Sequence, residues 1–448
     1  MSHTVAAIST GLQNCAIGVI RMSGDEAIAI AERATGKAFA DRVATYCTVY
    51  DANGSVLDRI VCTVFYAPHS YTGENMAELS CHGGMVVLGE VMKRLCELGA
   101  EPAARGEFTK RAFLNGKMDL SQSEAVIDVI MAKSPLSVKE AFSRVSGNLK
   151  NKINAFKETL LEIDTDIMAY VDFSAEGIDA PDGDALAQRL SSVKDGISSL
   201  AATYGAGKII KEGYPVCLCG KPNAGKSSIM NALLGADRSI VTSQEGTTRD
   251  VISETAVIDG LAVLLSDTAG IREAENEVEQ IGISRAKDII KESGLIVCVF
   301  DSGREFDSND EALIDLAKGE NAIAVINKSD LACVLDISRI EKCFDCVLSL
   351  SAADGTGLEG LKAAIKSRAL SGADMHADAL ITSLRQKTSL ENATEALNRA
   401  IDALSMGIDP EICEPDIALA LSHLGELTGE CLRDDMIDRI FEKFCVGK

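Results

Sequence analysis

The chain reads as a multidomain α/β plus α protein: an N-terminal α+β domain, a discontinuous helical domain, and a mostly parallel α/β nucleotide module inserted within the helices. Three observations predict this. Short apolar runs alternate with helical spacing at the start of the chain. A 3.6-residue period then dominates and returns near the end. Between these helical stretches lie strand–loop–helix units, one of which carries a glycine-rich loop. The expected domains are 1-118, then 119-208 together with 371-448, with 209-370 inserted. At 448 residues the chain is too long for one ordinary core, which agrees with two or three domains.

In the first domain, residues 5–8, 16–22, 60–65 and 76–81 read as strands, and 86–98 carries helical apolar spacing. Val126, Ile127 and Ile130, then Ile153, Phe156, Leu160, Ile163 and Ile167, fall on one helical face. Residues 179–183 (Asp-Ala-Pro-Asp-Gly) break that pattern, and a further helix runs to about Ala202. Residues 205–213 read as a short glycine-bearing entry to the nucleotide module. There, 251–258 and 261–266 are strands joined by the turn pair Asp259-Gly260. With 214–219, 295–300, 322–326 and 346–350 they make a mostly parallel sheet with helices between. The chain is helical again over 381–406 and from Pro415 onward. Both ends of the module are thus tied to the helical part, so that switch motion can pass into it.

Gly220-Lys221-Pro222-Asn223-Ala224-Gly225-Lys226-Ser227 fits G-x-x-x-x-G-K-[ST] and lies between an apolar strand and a helix-like stretch that opens at Ser228. Such a loop wraps main-chain N–H groups around phosphates, while Lys226 supplies a point charge and Ser227 a magnesium ligand. Asn327-Lys328-Ser329-Asp330 ends another strand, and Ser351-Ala352-Ala353 follows a third. A carboxylate at Asp330 accepts two hydrogen bonds from the N1–H and amino edge of guanine; adenine offers neither donor and leaves it unpaired. The nucleotide is guanine. Asp267-Thr268-Ala269-Gly270 places Asp267 to hold a magnesium-bound water and lets the Gly270 N–H approach a γ-phosphate. In Gly246-Thr247-Thr248-Arg249-Asp250, Thr248 is the second protein ligand expected for magnesium. Many such GTPases have Gln directly after Asp-x-x-Gly to orient the attacking water; here it is Ile271. Either hydrolysis is slow, or another residue and another cation act, and the residues alone leave Glu279 open between that role and a solvated acidic turn.

Composition narrows the rest. No apolar run is long enough to span a bilayer, and Met1 to Thr10 lack the basic-then-apolar design of a signal peptide. The fourteen cysteines are scattered, as expected of buried thiols in a reducing cytoplasm. Cys343-Phe344-Asp345-Cys346 has no second Cys or His pair nearby, which favours packing over metal. Cys81 and His82 are strand neighbours expected on opposite faces. Cys445 stays open between an inert and a catalytic thiol, leaning to structural. A formal charge of −23 weighs against a strong nucleic-acid grip, although Lys93-Arg94, Lys110-Arg111 and Lys150-Asn151-Lys152 with Lys157 are local basic groups.

Beyond the GTPase motifs, four segments carry a resemblance that covers essentially the whole chain: Tyr71-Thr72-Gly73-Glu74-Asn75 through Ser80-Cys81-His82-Gly83-Gly84; Gly106-Glu107-Phe108 through Asn115-Gly116-Lys117; Ser121-Gln122-Ser123-Glu124-Ala125; and Phe444-Cys445-Val446-Gly447-Lys448. The chain resembles the tRNA modification GTPase MnmE (TrmE) family. That resemblance implies an N-terminal folate-binding-type domain, which also dimerises the protein, and a Ras-like P-loop GTPase domain. It implies a homodimer that binds 5-formyltetrahydrofolate or a related one-carbon tetrahydrofolate. With the FAD-dependent partner MnmG, in an expected heterotetramer, it forms an aminomethyl-type (carboxymethylaminomethyl) group on C5 of the wobble uridine of certain tRNAs. GTP hydrolysis would be stimulated by K+ and linked to G-domain dimerisation. By the same similarity Asn223, Thr242, Gln244 and Thr247 would hold potassium, and Ser243, Glu245 and Gly246 would line the nucleotide with them. Glu279 matches the family's catalytic Glu and would act with Lys226, Thr247 and Arg249. Arg21, Glu78, Lys117 and Lys448 match the folate contacts. Two segments depart from the family pattern near that pocket. Gly11-Leu12-Gln13-Asn14-Cys15-Ala16-Ile17-Gly18 replaces a Pro-Gly-Arg-Gly-Gly type loop, and Arg105 stands where Pro often precedes Gly-Glu-Phe. A ribosome-assembly GTPase and a regulatory switch without transfer chemistry are the alternatives; folate binding by the N-terminal part separates them from the first reading.

Overall fold

The computed structural model describes residues 3–11, 13–173, 181–235, 253–267, 293–371, 379–431 and 434–448. It divides into two compact units: Met1–Ile127 with Arg144–Pro181 and Asp409–Lys448, and Asp128–Ser143 with Asp182–Ile408. Helices expected in the helical domain occur in both units. No helix among the described residues is long and apolar enough to cross a membrane.

The first unit is built on six strands: β1 (Val5–Ile8), β2 (Ile17–Ser23), β3 (Thr45–Tyr50), β4 (Val56–Phe65), β5 (Met76–His82) and β6 (Glu101–Pro102). Their order is β3-β4-β5-β2-β1-β6, antiparallel except where β1 meets β6. Ile20, Met22, Cys62 and Leu79 point from one face into a core with Ile30, Leu88 and Val91 of the helices Ala27–Thr35 and Met85–Glu97. Because side chains alternate along a strand, Arg21 and Glu78 stand on the opposite face, directly across from each other. The helix Ala27–Thr35 and strand β3 were not anticipated. That helix has nine residues and no side-chain cap, so packing rather than local signal stabilises it. The long helix Asn148–Phe173 buries Ile153, Leu160, Ile163 and Ile167 on the predicted stripe and packs with Glu414–Thr428. Ile130, assigned to the same kind of stripe, is instead exposed.

In the second unit, β7 (Tyr214–Gly220), β8 (Ser253–Ile258), β9 (Leu261–Asp267), β10 (Leu295–Asp301), β11 (Ala322–Asn327) and β12 (Val347–Ser349) are ordered β12-β11-β10-β7-β9-β8. All neighbours are parallel except the β8–β9 hairpin, whose turn residues Asp259 and Gly260 have φ of 46° and 84°. The central strands are buried on both faces: Val216 and Leu218 face one core, Cys217 and Cys219 the other. Residues 205–213, read as a connecting segment, form the helix Tyr204–Glu212. The glycines there misled. A Cβ on Gly207 would lie 2.1 Å from the Ile381 carbonyl oxygen, so this glycine permits close packing inside a helix. The helix Gly183–Ala202 pairs with Leu384–Ser405; Asp182 and Ser383 cap them through Asp184 N–H and Gln386 N–H.

Candidate functional site

The motifs meet at the C-terminal ends of the parallel strands, where an open α/β sheet places its ligands. Gly220 ends β7, Asp267 ends β9, Asp301 ends β10 and Asn327 ends β11. A helix of ten residues, Lys226–Gly235, starts inside the phosphate loop, so its first-turn N–H groups and dipole face the loop's concave side. Gly225 has φ of 96°, and a Cβ there would sit 2.0 Å from Asn327 Nδ2. Only glycine fits. Lys226 is buried, and its Nζ donates to the carbonyls of Gly220 and Lys221 at 3.0 Å each. Ser227 Oγ donates to Asp267 Oδ2 at 3.4 Å, which gathers the two oxygen-bearing side chains that a hard cation needs.

Asn327 works as a tie within the site. Its Nδ2 donates to Ala224 O at 2.8 Å, and its Oδ1 accepts from Ala352 N–H at 3.1 Å. The phosphate loop and the Ser351–Ala353 turn are therefore fixed by one buried amide. Ser351 Oγ donates to Asp330 Oδ1 at 2.7 Å and aims a carboxylate that is otherwise exposed. Ser329, beside it, is exposed as well. Lys328 takes φ of 63° and pairs with Asp301 at 2.7 Å, a partner that sequence reasoning missed. Burial is the largest single influence and works against ionisation of Asp301, but the Lys328 hydrogen bond and charge, the Gly303 N–H and the Arg304 charge together outweigh it and hold the carboxyl below its ordinary range. Ser228 is the third residue of the helix Lys226–Gly235, and Ala353 lies in the turn after β12. Thr242, Ser243, Gln244, Glu245, Gly246, Thr247, Thr248, Arg249, Thr268, Ala269, Gly270 and Glu279 lie outside the described residues.

A second cluster forms on the first unit's sheet. Arg21 Nε and Nη2 both donate to Glu78 Oε1, at 2.9 and 2.8 Å. The Tyr71 and Phe108 ring centroids lie 5.5 and 5.7 Å from the Arg21 guanidinium carbon. Residues 445–447 dock beside it. Gly106 N–H donates to Cys445 O at 3.3 Å, Arg105 bridges Val446, and Ser9 Oγ donates to Gly447 O at 3.0 Å. Gly447 has φ of 91°, and a Cβ on it would lie 2.7 Å from Ile8 O. Burial, then the nearby Arg21 charge, lowers the Lys448 pKa from its ordinary range, against the pull of Glu78. Arg21, Glu78 and Lys448 thus converge. Lys117 instead donates to Pro68 O at 3.0 Å and supports the segment that carries Tyr71.

Arg111, one of the local basic groups, is buried. It donates to Glu74 Oε2 at 2.9 Å, Glu107 Oε1 at 2.7 Å, and the carbonyls of Ser23 and His3. Its position on the inner face of the helix Glu107–Leu114, next to Phe108 and Ala112, was the available signal. Lys110 and Lys157 are ion-paired with Asp438 and Glu430. Cys81 is buried while His82 points outward to Asp58 at 2.6 Å. Cys346 packs on the nucleotide module's core, Cys343 is exposed, and the thiol of Cys445 is exposed.

Residues 120–445 match the MnmE helical domain, and residues 4–117 match the GTP-binding protein TrmE N-terminus. Among curated relatives, the tRNA modification GTPase MnmE of Aquifex aeolicus is 39% identical over 452 residues, covering 100% of both chains. That of Natranaerobius thermophilus is 37% identical over 454 residues, covering 99% of each. With the phosphate loop, the guanine-type tetrapeptide and the docked Cys445–Lys448 segment in place, the chain belongs to the MnmE (TrmE) family of tRNA modification GTPases.

Proposed function

We propose that this protein hydrolyses GTP to drive a folate-dependent modification at C5 of the wobble uridine of certain tRNAs. The observation that carries the nucleotide half is the Asn327 tie: one side chain positions both the phosphate loop and the turn behind Asp330. Lys226 neutralises phosphate charge, Ser227 and Thr248 would hold magnesium with Asp267 holding a water bound to it, and Asp330 reads guanine. Magnesium supplies charge neutralisation on the phosphates when bound. Asn223, exposed and with φ of 64°, joins Thr242, Gln244 and Thr247 around potassium, which supplies the positive charge an arginine finger supplies elsewhere. Glu279, with Thr247 and Arg249, orients the attacking water in place of the residue that Ile271 lacks.

The folate half rests on the convergence of Arg21, Glu78 and Lys448 beside two aromatic rings. Arg21 and Lys448 would grip an anionic or carbonyl-rich ligand whose flat ring stacks on Tyr71 or Phe108. A homodimer through residues 1-118, the FAD-dependent partner MnmG, and a cytoplasmic location complete the proposal. The domains are 119-208 with 371-448 for the helices and 209-370 for the GTPase. The net charge of −23, with Lys110, Lys157 and Arg111 already paired, supports a division of labour in which the partner supplies most of the basic surface for tRNA.

Mass spectrometry of wobble uridines in cells lacking this protein tests the reading; unchanged modification would remove it. Turnover is expected to be at least about tenfold faster in potassium than in sodium at equal ionic strength, with Glu279→Ala slowing turnover at nearly unchanged GTP affinity. Equal rates in the two salts would eliminate the potassium site. Lys448→Met is expected to weaken tetrahydrofolate binding about tenfold by calorimetry while GTP affinity stays constant. Unchanged folate affinity would take Lys448 out of the pocket.

A further inference from the structure

The phosphate loop is held from a side that none of the motifs describe. Lys221, its second residue, is largely buried, with its Nζ 2.5 Å from Asp310 Oδ2 and 2.8 Å from Asp307 Oδ1. Both carboxylates belong to the start of the helix Ser308–Ala317, where Asp307 is the N-cap and Asp310 completes a reciprocal capping box. Asp310 is 3% exposed, so its charge is committed to Lys221 and to the Asp307 N–H. Burial works against the Lys221 ammonium, but the two carboxylates outweigh it and raise its pKa. Lys221 is therefore turned away from the phosphate side and held as a fixed cation.

Its backbone has the opposite task. The Lys221 carbonyl is one of the two acceptors that hold Lys226 Nζ. Elsewhere the loop is pinned by the Asn327 bond to Ala224 and by Gly225 packing on Asn327. Between its first turn and the helix Ser308–Ala317 there is a water-sized cavity of about 10 Å³, lined by Lys221, Pro222, Ala224, Asp301 and Asp310 among others. The Lys221 ion pairs join the loop to this helix across that gap.

Building on the GTPase reading above, we propose that Asp310, with Asp307, is a positioning residue for phosphate binding. By gripping Lys221 it fixes the carbonyl that orients Lys226 before nucleotide arrives. Loss of the grip leaves the loop to be ordered at the expense of binding, whereas a bound nucleotide rebuilds it through the loop amides. Affinity falls and saturated turnover is preserved.

The test measures binding of a fluorescent GDP analogue to the full chain, with GTPase kinetics alongside, for Lys221→Met, Asp310→Asn, the double variant and Lys221→Arg. Each of the first two is expected to weaken binding about tenfold, and the double by no more than about twofold beyond the worse single, because both break one interaction. The kcat at saturating GTP stays within about threefold, and Lys221→Arg retains most of the affinity. Binding within twofold of the parent for folded Lys221→Met, or fully additive losses in the double, would overturn the proposal. A milder variant, Asp307→Asn, gives a smaller shift in the same direction and serves if Asp310→Asn does not fold. A parent that binds no guanine nucleotide would instead overturn the GTPase reading beneath it.

Discussion

Asp330→Asn is expected to weaken GTP binding by about two to three orders of magnitude and to create affinity for xanthosine triphosphate. On the proposed reading the carboxylate would accept from two guanine donors, and hydrogen bonds to a charged group contribute about 1.5–3 kcal/mol each. An amide presents one acceptor and one donor. The donor faces the guanine amino group and finds no partner there; xanthine, with a carbonyl at C2, supplies one. Ser351 keeps the side chain aimed, because its hydroxyl, 2.7 Å from Asp330 Oδ1, donates equally well to an amide oxygen. Calorimetric titration of both triphosphates checks this. A variant that keeps GTP affinity within threefold, or gains nothing toward xanthosine triphosphate, would remove Asp330 from the base-reading role.

The second large effect is on stability. Arg111→Ala is expected to destabilise the first unit by about 3–5 kcal/mol, because truncation leaves two partly buried carboxylates without the cation that pairs both. Side-chain exposures of 10% for Arg111, 16% for Glu74 and 17% for Glu107 leave little water to screen the loss. Glu74 also accepts from Ser23 Oγ at 2.7 Å, and Ser23 Oγ lies 2.7 Å from Thr72 Oγ1, so the damage spreads to the segment carrying Tyr71. Hydrogen exchange at β2 and β5 amides is the suitable readout, since a multidomain chain does not unfold in one step. Arg111→Lys should fall between parent and Ala, keeping charge but losing the planar fork. A change below about 1 kcal/mol in the Ala variant would contradict the network.

The nucleotide module was readable because its chemistry is local. A phosphate loop, Asp267 and Asn327-Lys328-Ser329-Asp330 each fall at a strand end, and period and turn chemistry place strand ends well. The tie from Asn327 to Ala224 joins residues 103 apart, which no spacing reveals. Arg21 opposite Glu78 likewise depends on strand register, fixed only when β2 and β5 pair. Arg111 was misread because a charged pair of neighbours looks like solvated surface until the helix's inner face is known. The Tyr204–Glu212 helix was missed for a related reason: Gly207 serves tight packing, which a single sequence does not distinguish from flexibility.

The grip of residues 105, 106 and 9 on residues 445–447 has a temporal corollary. During synthesis, the strands bearing Arg21 and Glu78 leave the ribosome hundreds of residues before Lys448 does. The intervening nucleotide module has its own sheet and two cores, so it can mature before the last residues of the chain reach the Arg21–Glu78 pair. A chain clipped before Cys445 would then keep the nucleotide module's sheet while losing every contact that residues 9, 105 and 106 make with residues 445–447.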